Sequence, residues 1–273
     1  MHKLITLLLL IFSLQGNTQS LDSPTSLKLQ QVISGDQRTL AHKQRDQYRH
    51  PAETLKFFGL NENQSVVEIW PGEGWYTEIL APLLQENGHL NVAHFSENST
   101  LPYRRNMVKS FQAKMAARQD IYSRVTLTAL ELPEAVRIAP DSSADLILSF
   151  RSVHNWIADE NANEVFKVLY KALKPGGVLG IVEHRANSGT SLEQSISSGY
   201  VTEDEVIKLA KLAGFELVAK SEINANVRDT KTHPHGVWTL PPTFRSVNDT
   251  EKVSYLAIGE SDRMTLKFIK PMK

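Results

Sequence analysis

Two groups of residues in this chain have the type and placement to do chemistry: a glycine-rich turn behind an acid, and histidines beside apolar runs. Val66-Val67-Glu68-Ile69-Trp70-Pro71-Gly72-Glu73-Gly74-Trp75 reads as an apolar strand ending in an acid, then a Gly-x-Gly loop. The glycines let backbone approach a ligand, and the N-terminus of the helix that follows can hold an anionic group such as a carboxylate. That is the layout of a nucleoside-binding turn. A dinucleotide fingerprint has a third glycine or alanine at position 77, where Thr77 stands. His154 lies just past a predicted strand over 145–150, and His184 closes one over 178–183, so either can act as a base. Arg151, three residues before His154, suits an anionic substrate. The structural alternatives are a loop-orienting histidine at 154 and packing or surface roles for His184 and Arg151. His233-Pro234-His235 has no carboxylate partner at ligand spacing, so a surface loop is expected there rather than a metal site.

Alternating strands and helices must position these residues. Short apolar runs over 65–70, 90–95, 124–130, 145–150, 178–183, 215–221 and 264–269 predict seven strands. Helices are expected over 36–60, broken at His50-Pro51, and over 77–86, 104–118 and 161–173. Another opens at Thr202, whose spacing to Glu205 is that of a capping box. Pro175-Gly176-Gly177 reads as a type II turn. Repeated β-α units imply a mostly parallel sheet covered on both faces, with ligands at the carboxyl ends of its strands. Arg38, Lys43, Arg45 and Arg49 crowd the first helical stretch and read as a solvated face. Residues 224–262 form a connection long enough to be a lid, with Trp238 available, like Trp75, to stack on a planar ligand.

Composition narrows the function classes. With 273 residues, 41% hydrophobic, and 30 basic against 30 acidic side chains, the chain has no global surplus of positive charge. Nucleic acid is therefore not an expected partner. Zero cysteines exclude disulfides, thiolate catalysis and Cys-ligated metals. Residues 1–20, a basic start, a charge-free run from Leu4 to Leu14 and a small polar stretch, have the order of a secretory signal peptide. The expected organisation is a signal peptide over 1–20, a flexible tether over 21–35 and one domain over 36–273. Export to the periplasm or outside the cell follows, with no stable membrane span after cleavage.

The glycine-turn segment resembles motif I of the class I S-adenosylmethionine-dependent methyltransferases. Ala144–Phe150 resembles the fourth strand of that family, and Leu173-Lys174-Pro175-Gly176-Gly177 with the run to His184 resembles its "LKPGG" turn and fifth strand. The chain is also similar to a group of exported bacterial methyltransferase-like proteins through Phe150–Trp156, Gly236–Pro242 and Gly259–Met264. The resemblance implies a Rossmann-like α/β fold with a seven-stranded, mostly parallel sheet whose last strand is antiparallel. It implies S-adenosylmethionine as cofactor and a small-molecule methyl acceptor. By the same resemblance Glu68 with Gly72 and Gly74 would hold the methionine end, Glu131 would lie near the adenine, and Ser149 and Phe150 would line the floor. Trp70 stands at the usual first glycine, and the ribose-binding acid falls on about His94. A ligand-binding protein on the same fold is the second reading, and a nicotinamide-dependent oxidoreductase the third.

Overall fold

The computed structural model describes residues 24–272 of the chain, so the expected signal peptide lies outside the described residues. Seven strands are present among them: β1 Ser65–Ile69, β2 His89–His94, β3 Val125–Ala129, β4 Ala144–Phe150, β5 Leu173–His184, β6 Glu216–Ser221 and β7 Arg263–Ile269. They form one sheet in the order β3-β2-β1-β4-β5-β7-β6. All neighbouring pairs from β3 to β5 are parallel, and β7 is inserted antiparallel between β5 and β6. The order reverses between β1 and β4, so the carboxyl ends of these two strands open a crevice where a ligand can enter.

Both faces of the sheet are covered because its central strands are apolar on both sides, as β1 and β4 show. On one face Val67, Ile69 and Ile147 pack with Val165, Phe166 and Leu169 of the helix Ala162–Ala172. On the other, Val66, Leu146 and Leu148 pack with Leu55 and Phe58 of the helix Pro51–Phe58 and Ile79 and Leu80 of the helix Thr77–Leu84. Packing between the layers is tight at Gly180 in β5, where a Cβ would stand 2.7 Å from the Phe58 ring.

Three local expectations are corrected. Residues 21–35 are not a tether along their described length: Pro24–Ser34 is a helix packed against Thr77–Leu84, anchored by the buried Leu29. One buried leucine is too weak a period to read in sequence, and Leu27 stays half exposed. The stretch 36–60 is three short helices, Leu40–Lys43, Asp46–Arg49 and Pro51–Phe58, with His50 left-handed at φ 41° before the proline. Leu40, at the start of the first of them, is exposed. Pro175-Gly176-Gly177 is not a free turn but extra length inside β5, where the register to β4 shifts between Ala144 and Leu146. Gly176 supplies the left-handed residue at φ 78°. The backbone N–H of Gly176 donates to the Lys270 carbonyl, which fixes the irregularity to the end of β7.

Candidate active site

At the carboxyl ends of β1, β4 and β5 lies a cavity of about 390 Å³. Trp70, Gly72, Phe150, Arg151, His154 and His184 line it from the strand ends, and Arg45, Arg49 and Trp75 from the N-terminal side. The long connection closes it with Trp238, Pro241 and Ser261. This connection is no bare loop: Gly236–Thr239 is a 3₁₀ turn and Asn248 caps the helix Asp249–Ile258. Within it, His235 is exposed as expected, but the His233 side chain is buried 2.9 Å from Asp229, a partner four residues away that the spacing rule had overlooked. A larger groove of about 930 Å³ follows the outer strand β3. It holds none of the candidate histidines, whereas His154 and His184 both line the smaller cavity.

The short helix Val153–Ala158 brings His154 to the cavity, and the end of β5 brings Glu183 beneath it. Nδ1 of His154 lies 3.0 Å from Oε1 of Glu183. The same fully buried carboxylate accepts from the backbone N–H of His154 at 3.2 Å and of His184 at 2.7 Å. A carboxylate held by these donors orients the imidazole with Nδ1 as the donor and leaves Nε2 as the basic nitrogen. Nδ1 of His184 pairs with Oγ of Ser261 at 2.5 Å. Burial first, then His154 and Arg151, pushes the His184 pKa well below the ordinary value, so its ring is neutral. Candidate ligand atoms of His154, Glu183 and His184 converge within 4.8 Å, a spacing compatible with a metal. The guanidinium groups beside them oppose a cation there.

Those guanidiniums are the feature that sequence reading placed wrongly. Arg38 and Arg49 are buried, not solvated, with Trp75 between them and each guanidinium 4.8 Å from the indole ring. Arg38 is matched by Asp46 at 2.7 Å. Arg45, Arg49 and Arg263 all converge on one buried carboxylate, Glu260, at 2.6, 3.1 and 3.0 Å. Burial raises the Glu260 pKa, but Arg49, Arg263, Arg45 and Arg151 outweigh it and hold the group down at about 2. Glu183, Glu260 and Ser261 were not among the expected site residues. The signal for the last two was present in Gly259-Glu260-Ser261-Asp262-Arg263, polar residues running into an apolar strand, but nothing local says what they face.

The remaining expectations divide. Gly72 (φ 60°) and Gly74 (φ 82°) are left-handed, and a Cβ on Gly72 would meet open space, so this backbone is accessible to a ligand. Glu68 is buried behind the loop, accepting from Thr77 at 2.6 Å. Thr77, in the place of the third glycine, therefore serves the acid. Burial pushes the Glu68 pKa up to about 7, against the opposing hydrogen bond from Thr77. Ser149 is fully buried, and Phe150 stacks on Tyr76 at 3.5 Å. Two positions are corrected. His94 is not among the residues that line the cavity: its ring packs against Phe95 and Phe111, and its Nδ1 accepts the Phe95 N–H. Strand alternation decides this. Glu131 is committed to Ser96, Ser99 and Arg104 and does not line the cavity. Beside it the Trp70 indole donates to the Leu130 carbonyl at 2.8 Å and packs on Phe95 and Trp156. Trp70 adopts φ 46°, the glycine-like conformation of the position it occupies.

Residues 71–181 match the methyltransferase domain family. A search of curated proteins returns no match. Among solved structures, a SAM-dependent methyltransferase from Aquifex aeolicus superposes with a TM-score of 0.51 at 20% identity, over 73% of this chain and 93% of that one. The cyclase SpnF gives 0.57 at 17% identity, over 88% and 86%. The Haemonchus contortus phosphoethanolamine N-methyltransferase 2, in complex with S-adenosyl-L-methionine, gives 0.52 at 15%, over 82% of this chain and 53% of that one. The fold is thus the Rossmann-like fold of S-adenosylmethionine-dependent methyltransferases, with the strand order and the antiparallel β7 described above.

Proposed function

We propose that this protein transfers a methyl group from S-adenosylmethionine to a small acceptor, and that Nε2 of His154 takes the proton the acceptor gives up. The observation that carries this is the His154–Glu183 pair, with His154 lining the same cavity as Gly72. The cofactor, when bound, supplies a methyl group on a positively charged sulfur, so the leaving group needs no protonation.

The chain's own part is to bind, orient and accept a proton. The backbone at Gly72 fits the methionine end, since it is left-handed and faces open space. Phe95 and Met107, which line the same cavity, would face the nucleoside end in place of the expected His94 and Glu131. Glu183 holds the His154 ring so that Nε2 faces the acceptor, and Trp238, 6.1 Å from that ring, shields it from solvent. Residues 224–262 act as the cover of this pocket, a role supported by Trp238, Pro241 and Ser261 in its lining.

A binding protein on the same fold is the second reading, favoured by the Trp70 indole in the loop and by the saturated Glu131. SpnF illustrates that this fold is not tied to one chemistry. Thermal unfolding with S-adenosylmethionine, S-adenosylhomocysteine or NAD separates the readings. A ligand at 100 times its Kd adds about 2.7 kcal/mol to stability. A shift with the adenosyl pair alone supports methyl transfer, and no shift with either hands the lead to the second reading. Export, supported by residues 1–20, is tested by fractionating cells that express the chain with and without them.

A further inference from the structure

The charges around the cavity do not balance. Arg45, Arg49, Arg151 and Arg263 surround Glu260 and are close enough for each to lower its pKa. Glu183 is committed to His154 and two backbone N–H groups, and the Glu73 side chain is 91% exposed at the rim. Arg45, Arg49 and Arg263 bind Glu260, but Arg151 makes no side-chain hydrogen bond or ion pair to any described residue. Its guanidinium lines the cavity. Nη2 of Arg45 and Nη2 of Arg49 are also buried without a partner.

Burying like charges together without donors satisfied is costly unless something of opposite sign completes the site. The cost is visible in the chain. Arg49 is held well below its ordinary pKa first by burial and next by Arg151. Arg151 itself sits at φ 61°, a conformation a non-glycine residue adopts only under constraint. Arg45, Arg49 and Arg151 line the same cavity as His184 and Trp238, and Arg49 and Arg151 are close enough to His184 to lower its pKa.

We propose that the acceptor is an anion, a small molecule bearing a phosphate or carboxylate, whose oxyanion is held by Arg45, Arg49 and Arg151 beside the His154 base. The planar guanidinium is suited to this because it offers paired N–H donors to two oxygens at once. This inference rests on the methyl-transfer reading for the word acceptor, but the oxyanion site stands on its own geometry. The same oxyanion chemistry could come from the carboxylate of the cofactor, so the test must tell the two sources apart.

The experiment is calorimetric titration of the full chain with inorganic phosphate and with malonate at constant ionic strength, with and without saturating S-adenosylhomocysteine. The wild type binds at least one of these anions, and Arg151→Met weakens that binding by about tenfold or more, the loss of a charge-assisted bond. Arg45→Gln, which leaves Arg49 and Arg263 on Glu260, weakens it likewise and guards against a folding defect in one variant. S-adenosylhomocysteine affinity stays unchanged in Arg151→Met. Anion and S-adenosylhomocysteine bound together assign the site to the acceptor. Mutual exclusion assigns it to the cofactor carboxylate and overturns the proposal, as does an anion affinity that Arg151→Met leaves intact or a wild type that binds neither anion. If the anion binds and S-adenosylhomocysteine does not, the methyl-transfer reading fails while the oxyanion site survives.

Discussion

Nδ1 of His154 and Oε1 of Glu183 stand 3.0 Å apart, although 29 residues separate them in the chain. The pairing is made by parallel strands: β4 delivers the helix that carries His154, and its neighbour β5 ends at Glu183 and His184. Glu183 also accepts the His154 backbone N–H, so one carboxylate fixes both the helix start and the ring. A base whose orientation depends on a buried acid should respond differently to loss of the base and loss of its support.

His154→Ala is therefore expected to lower kcat by about 10²–10⁴-fold, the usual contribution of a general base. S-adenosylhomocysteine affinity should not change. Glu183→Gln is expected to lower kcat less and to cost stability, because it disturbs three N–H contacts. Single-turnover rates with a confirmed acceptor check both. Unchanged turnover in His154→Ala would remove it from the mechanism.

Glu68 makes stability pH-dependent. Its folded pKa of about 7 lies above the ordinary 4.5, so the native state keeps a proton that the unfolded chain releases. Stability from this group is full below pH 4.5 and is lost as pH rises through 7. The shift corresponds to about 3 kcal/mol at most. Glu68→Gln should accordingly be more stable than wild type at pH 8 and nearly equal to it at pH 5. Denaturant midpoints at the two pH values decide it, and equal differences at both would contradict the burial argument.

Trp70 couples strain to packing. Trp70→Gly relieves a left-handed tryptophan, worth about 1–3 kcal/mol, but loses the packing of the indole, worth about 3–5. A net drop in Tm is expected. Because the indole fills the space beside Leu130, its removal should also tighten S-adenosylhomocysteine binding. Weaker binding would mean that Trp70 contacts the ligand productively.

Gly180→Ala tests the layer contact. A Cβ 2.7 Å from the Phe58 ring must displace it, at a cost of about 1–3 kcal/mol. Phe58→Leu in the same chain should return part of that loss, which chemical denaturation of the single and double variants measures.

Much of the fold was legible in local pattern. Short apolar runs separated by helical periods fixed the strands to within one or two residues outside β5, and the Gly72–Gly74 turn located the crevice, because burial on both sheet faces imposes composition on each strand by itself. What each polar residue faces was not legible. Arg45 and Arg49 look like a solvated helix face until β7 brings Glu260 between them, some 215 and 211 residues away. His94 and Glu131 stand in sequence where ligand contacts were expected, yet strand alternation turns one inward and a neighbouring loop occupies the other. Sequence determined the class of fold and the place of the site. His154 and His184 already stood out in sequence, whereas the charge of the cavity and the Glu183 partner of His154 were decided only by tertiary structure, since electrostatic partners are chosen by proximity in space and leave no periodic trace along the chain.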